Sequence, residues 1–170
     1  YTPWVRMADD LSWGHDSPRE CDWVPGCYYL TRKAVIDKVG LFDPRFFLYY
    51  EEVDHCRRVK QAGWKVYFYP DTSVVHIGGE SAKSAGSITE SGRQLSALQT
   101  ESELLYIRKH HGLMGLLSHV ALSLTFEALT ILKSAITPSQ QKSKQATARE
   151  SISMWLSLCR QTKLGRTPTR

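Results

Sequence analysis

The chain has 170 residues, with 42% hydrophobic and 23% charged positions. That make-up suits a globular protein with a buried core and excludes a disordered or fibrous one. Its formal net charge of +5 is unevenly held, since residues 139–170 set Lys142, Lys144, Arg149, Arg160, Lys163, Arg166 and Arg170 against Glu150 alone. A basic tail suits an anionic surface, or is simply solvated; with one aromatic there, Trp155, and no recognised motif, nucleic acid is not an expected partner.

The first stretch, YTPWVRMADD, has neither an initiating methionine nor a signal peptide and reads as the middle of a longer protein. Residues 1–20 are polar and irregular. A strand is expected in DWVPGCYYLTR (22–32), with Pro25-Gly26 as a bend or bulge. TRKAVIDKVG predicts a short helix with Thr31 as N-cap and Gly40 closing it. LFDPRFF reads as a loop with an Asp-Pro turn. A second helix is expected over 51–62, with Val53, Cys56 and Val59 on one face and Gly63 ending it. WKVYFYP and TSVVHI read as strands, and 80–91 as a Ser/Gly-rich mobile loop.

GRQLSALQTESELLYIRKHHG predicts a helix that stops at Gly112. The next helix, LMGLLSHVALSLTFEALTILKSAI, is largely apolar, with a narrow polar stripe at His119, Ser123, Glu127, Thr130 and Ser134. Its uncharged run, 112–126, falls short of the roughly 20 residues needed to span a bilayer, so an interfacial helix or one packed on a partner is expected. A buried core helix is the plainer alternative. TPSQQKSKQ reads as a linker and ARESISMWLSLCRQ as a last amphipathic helix.

Cys21, Cys27, Cys56 and Cys159 form no CxxC pair, so neither a zinc site nor a disulfide framework is expected, and free thiols suit a reducing compartment. The chemistry concentrates in FFLYYEEVDHCRR (46–58). Acids at a helix start meet the positive end of its dipole, which alone accounts for Glu51 and Glu52. Asp54 and Arg58, spaced i, i+4, are placed to pair. The aromatics just before the acids point further, to carboxylates beside an apolar wall, a common form of ligand site.

Those residues also resemble a family. VGLFDPRFFLYYEEVDHCRRVKQAGWKVYFYPDTSVVHIGGES is similar to the second half of family 2 glycosyltransferases of the GT-A fold, most closely the rhamnosyltransferase-like branch. Phe42-Asp43, Phe46-Phe47, Glu51-Glu52, Asp54, Arg58, Gly63-Trp64, His76, Gly79 and Ser81 occupy the family's pattern, and WVPGCYYLTRKAV and LLYIRKHHG are similar to its flanking segments. The resemblance covers roughly 20–112.

The resemblance implies an α/β fold: 1–111 as the acceptor-side, C-terminal half of a Rossmann-like GT-A domain, and 112–170 as a helical, basic extension. It also implies an inverting transferase that moves a sugar, rhamnose from a dTDP donor, to a hydroxyl of a glycan or lipid-linked acceptor in cell-surface polysaccharide synthesis. The family's second acid of the pair is the general base, which falls on Glu52, with Glu51 as the substitute. The family usually has Asp there, and the extra methylene shifts the carboxylate.

Trp23, Gly26, Phe47, Tyr49, Tyr50, Asp54 and Arg58 are the expected acceptor-site residues. His76, Gly79 and Ser81 are expected at the donor phosphates, with His76 also a candidate metal ligand. A divalent cation, Mg or Mn, is expected to be held mostly by a nucleotide-binding half absent from these residues, which alone are expected to turn nothing over. The expected location is cytoplasmic, peripheral on the inner face of the cell membrane through 112–136 and the basic tail. The alternative is a truncated, non-catalytic sugar-binding or membrane-docking module.

Overall fold

The computed structural model describes residues 13–75, 92–136 and 142–170. His76, Gly79, Ser81 and the 80–91 segment, with their expected roles, lie outside the described residues. The chain divides into two compact units, Tyr1–Glu90 and Ser91–Arg170. The helix that begins at Gly92 falls within the second of these units.

In the first unit, β1 (Arg19–Glu20) pairs antiparallel with β2 (Tyr67–Phe68), Arg19 opposite Phe68 and Glu20 opposite Tyr67. Cys21 N continues the pairing by donating to Val66 O at 3.0 Å. The strand thus lies just before the expected 22–32 segment, which turns at Gly26 and pairs with nothing as a strand. Pro25 lacks the N–H that a ladder needs, and Gly26 has no side chain to pack, so the pairing stops short of them. Of WKVYFYP only Tyr67–Phe68 is strand, and 72–75 has no regular structure.

Helix α1 (Lys33–Val39) has Arg32, not Thr31, at its N-cap. Gly40, at φ 78°, ends it in a conformation that suits glycine. Helix α2 (Glu51–Gln61) carries Glu51, Glu52 and Asp54 in its first turn and Arg58 and Lys60 in its last, matching charge to the dipole at both ends. Gly63, at φ 87°, follows it. Cys56 and Val59 face a small core with Val35 and Val66, flanked by Cys21, Trp23, Val24, Tyr29, Val39 and Trp64. Val53 stays half-exposed.

The second unit is helical. A helical run, Gly92–Ile136, is broken at Gly112 (φ 70°, ψ −168°), giving α3 (92–111) and α4 (113–136). Gly112 does more than end a helix. In a straight helix Glu103 and His119 would lie about 24 Å apart along the axis; here His119 Nε2 sits 2.9 Å from Glu103 Oε1, so the chain reverses. Gly115 makes the reversal tight, because a Cβ there would lie 2.5 Å from His111 Cβ.

Helix α5 (Lys142–Gln161) begins inside the expected linker. It packs through Trp155, whose ring lies 5.6 Å from that of His119, and through buried Ala148, Leu158 and Cys159. Beyond it the chain is not a free tail. Thr169 donates through N and Oγ1 to the buried Glu101 carboxylate, at 2.8 and 2.9 Å.

Between these elements Lys163, Leu164 and Gly165 take φ of 50°, 57° and 68°, a left-handed turn in which two members are not glycine. Buried Thr162 holds it by donating to Leu158 O at 2.7 Å and accepting from Gly165 N at 3.0 Å. At Gly165 the turn presses on α3: a Cβ would meet Leu104 O at 2.5 Å and Arg108 Cβ at 2.8 Å. The Leu104 contact is with backbone, which cannot step aside. Gly165→Ala is therefore expected to destabilise the protein by about 1–3 kcal/mol, the usual cost of overpacking, checked by urea unfolding.

Candidate functional site

The acids stand where the chain enters α2, and the entry is strained. Tyr49 and Tyr50 have φ of 69° and 68°, consecutive left-handed residues with large side chains. Such conformations cost about 1–3 kcal/mol each and cluster at functional sites. The double turn sends Tyr50 inward, where it is buried, and leaves Tyr49 at the surface. Phe46 and Phe47 split in the same way, one buried and one half-exposed. Half of the expected aromatic wall is thus core, and Phe47 and Tyr49 are its open part.

Just before it, Asp43 folds the Asp-Pro turn: its carboxylate accepts from Arg45 N at 3.0 Å and from Arg45 Nη2 at 2.7 Å.

Glu51 and Glu52 are both half-buried. Each keeps one shielded oxygen, Oε2, that meets no donor among the described residues. Shielded oxygens without donors are costly in a fold and are an arrangement from which a proton can be accepted. Gly26 lies against Glu52: a Cβ placed on it would come within 3.9 Å of Glu52 Oε1.

Burial pushes the Glu51 carboxyl above its ordinary range, and the neighbouring Glu52 adds to this against a hydrogen bond from the Glu51 backbone. A carboxyl with a raised folded-state value contributes stability below its unfolded value, 4.5, and loses it as pH rises through the folded one. At pH 7 the ionised group is therefore a burden. Glu51→Gln is expected to stabilise the protein at pH 7 by about 0.5–1 kcal/mol, held low by solvent screening. The gain shrinks to nothing as pH falls below that unfolded value. Melting temperatures of both proteins across that range check it.

In the same first turn Asp54 meets Arg58, but not in an open site. Asp54 is fully buried, with its Oδ2 2.8 Å from Arg58 Nε. Arg58 also donates from Nη1 to Val39 O and from Nη2 to Leu41 O at 2.7 Å. The guanidinium thus closes the carbonyl end of α1, where a cation is favoured. The geometry is that of a brace between α1 and α2, as the i, i+4 spacing led one to expect.

Beside the pair lies His55, which the sequence did not single out. The Gly40 carbonyl, 3.0 Å from Nε2, can only accept, so Nε2 carries the proton and Nδ1 accepts from Tyr29 O–H at 2.7 Å. Burial holds this imidazole below its ordinary range, against the pull of the Gly40 carbonyl. Nothing in a lone His within a charged run signals such a role; only the fold brings Tyr29 and Gly40 to it.

Trp23, expected at the acceptor, packs against the α2 core. Asp22 pairs with Lys60. The structure thus brings together Glu51, Glu52, Gly26 and the tyrosine turn, and leaves Trp23, Asp54 and Arg58 as their support. Among the described residues no cluster of His, Cys, Asp and Glu is placed to hold a metal ion. His76, the expected metal ligand, lies outside them.

The chain is similar to glycosyltransferases. It is 31% identical over 96 residues to the N-acetylglucosaminyl-diphospho-decaprenol L-rhamnosyltransferase of Mycobacterium tuberculosis, a match covering 56% of this chain and 30% of that relative. To rhamnosyltransferase WbbL of Escherichia coli K12 it is 30% identical over 63 residues, 37% of this chain and 24% of that one. The chain thus matches less than a third of the length of these relatives. No family model matches it, and no solved structure does.

Proposed function

We propose that the protein is an inverting glycosyltransferase of cell-surface polysaccharide synthesis, and that these residues supply its acceptor side. The donor is a nucleotide sugar, dTDP-rhamnose, and the acceptor a hydroxyl of a lipid-linked sugar such as the diphospho-polyprenol named for the mycobacterial relative. The observation that carries this reading is the pair of adjacent carboxylates, each with a shielded oxygen that meets no donor among the described residues.

A sugar hydroxyl is a poor nucleophile, so it needs a base as it attacks. Glu52 accepts the hydroxyl proton while that oxygen bonds to the anomeric carbon. The bond to the nucleotide diphosphate breaks on the opposite face, and configuration inverts. Gly26 beside Glu52 leaves room for the ring, and Phe47 and Tyr49 offer exposed faces to it. A bound divalent cation would neutralise the leaving diphosphate; none of the steps above runs through it. The GT-A form of the first unit belongs to the same reading.

The test is an assay of the whole protein with dTDP-rhamnose and a polyprenyl-diphospho-N-acetylglucosamine acceptor. The expected product carries one added rhamnosyl group of inverted configuration. No transfer from any nucleotide sugar, or a retained configuration, would overturn the reading.

A further inference from the structure

Helix α4 is built inside out. Its polar stripe, His119, Ser123, Glu127, Thr130 and Ser134, is turned inward or half-covered. His119 meets Glu103 of α3 and Trp155 of α5. The opposite face is apolar and open: Leu122 is 64% exposed, Phe126 69%, Leu129 57% and Leu132 59%, with Met114 at 74%. Thr125 and Lys133 are also exposed on this side, Thr125 donating to Ala121 O at 2.7 Å. A water-facing helix shows the reverse pattern, and an open apolar face of this kind marks an interaction site.

Where α4 begins, at Leu113, an open pocket of about 540 Å³ lies against the end of α5. Its apolar wall is Leu113, Leu156 and Leu164, and its rim is Arg160, Lys163 and Arg166; no carboxylate lines it. The strained turn 163–165, held by Thr162 and pressed onto α3 at Gly165, fixes where Lys163 and Arg166 emerge. Left-handed Lys163 and Leu164 are kept at an energetic cost, which points to function.

We propose that the second unit docks on the surface of an anionic phospholipid bilayer. The apolar face of α4 enters the acyl boundary, and Arg160, Lys163 and Arg166 take lipid phosphates. Charge decides the occupant. The three cations complement phosphate headgroups, whereas a second copy of this chain would bring an equally cationic rim.

By length and composition Gln94–Ser134 also passes as a membrane span, with mean hydropathy 1.5 over its most apolar window and only 6% of that window buried. The expectation that it was too short counted only the uncharged run; the helix continues past Glu127 to Ile136. It nevertheless reverses at Gly112, and its inward side carries His119 and Glu127 beside a charged α5. Burying those groups in hydrocarbon is costly, so α4 lies in the interface plane. The inference does not depend on the transferase reading.

The test is flotation of the full chain with phosphatidylcholine vesicles, with and without phosphatidylglycerol. Binding is expected only to the anionic vesicles and to fall steeply with salt. Phe126→Glu, on the open face, is expected to weaken it at least about tenfold. Arg160→Gln with Lys163→Gln and Arg166→Gln is expected to lower it roughly 100-fold, about fivefold for each cation. Unchanged melting temperatures establish that these variants fold.

Absence of binding to anionic vesicles overturns the proposal, as does binding that both variants leave unchanged. Tight binding of inorganic phosphate without vesicle binding overturns it too. So does a dimer in sedimentation that Phe126→Glu dissolves.

Discussion

Glu52→Gln in the whole protein is expected to lower the rate of sugar transfer by about 10²–10⁴-fold, the usual contribution of a positioned base. The substitution keeps shape and volume but removes the ability to accept a proton. Acceptor KM should change little, because the lost interaction acts mainly as the hydroxyl proton departs. Glu51→Gln is the control. It removes the neighbouring charge and the buried burden, and should leave most of the rate. If Glu51→Gln abolishes transfer and Glu52→Gln does not, the base is Glu51. If both variants keep the rate, neither is the base and the catalytic reading fails.

Glu52→Asp separates position from chemistry. It restores the acid expected at this place and draws the carboxylate back by one methylene. A misplacement near 1 Å costs on the order of 10²-fold, so this variant reports whether the backbone entering α2 is set for the longer side chain. Single-turnover rates of the three variants, measured against acceptor concentration, distinguish these cases.

The limits of α2 were legible because two ordinary signals coincide there: acids at one end, and Gly63 at the other. Gly112 was legible as a stop for the same reason. That it reverses the chain was not, since reversal also needs Gly115 against His111, a contact with no periodicity to read. The left-handed pairs Tyr49-Tyr50 and Lys163-Leu164 were invisible in principle. These residue types disfavour that conformation, and only surrounding structure imposes it.

The strand pairs at Arg19–Glu20 and not within 22–32, because Pro25 and Gly26 outweigh the β-formers there. The polar stripe on α4 was visible as spacing. Which way it faces was not, because periodicity defines faces and packing orients them. In the candidate site, the two acids were readable as a motif at a helix start. Their shielded oxygens, which meet no donor among the described residues, and the Tyr29–His55–Gly40 chain beside them depend on contacts between residues far apart in sequence.

Asp54→Ala is expected to destabilise the protein by about 3–5 kcal/mol, the usual cost of breaking a buried pair from one side. Asp54 is fully buried and Arg58 partly so, its side chain 19% exposed. Removing the carboxylate leaves the guanidinium with the carbonyls of Val39 and Leu41 as partners, which satisfy its donors but do not neutralise its charge. The pair therefore contributes less than its removal costs. Asp54→Leu with Arg58→Met should recover most of the loss, because the desolvation of both charges disappears with them.

Urea unfolding of the single and double variants measures this directly. If the double variant is as unstable as the single one, the carbonyl contacts of Arg58, and not the ion pair, hold α1 to α2. The functional consequence follows from position. Asp54 of the clamp shares the first turn of α2 with Glu52 and holds the start of that helix in place. A double variant that regains its stability but still transfers sugar slowly would show that the clamp also sets the placement of the base.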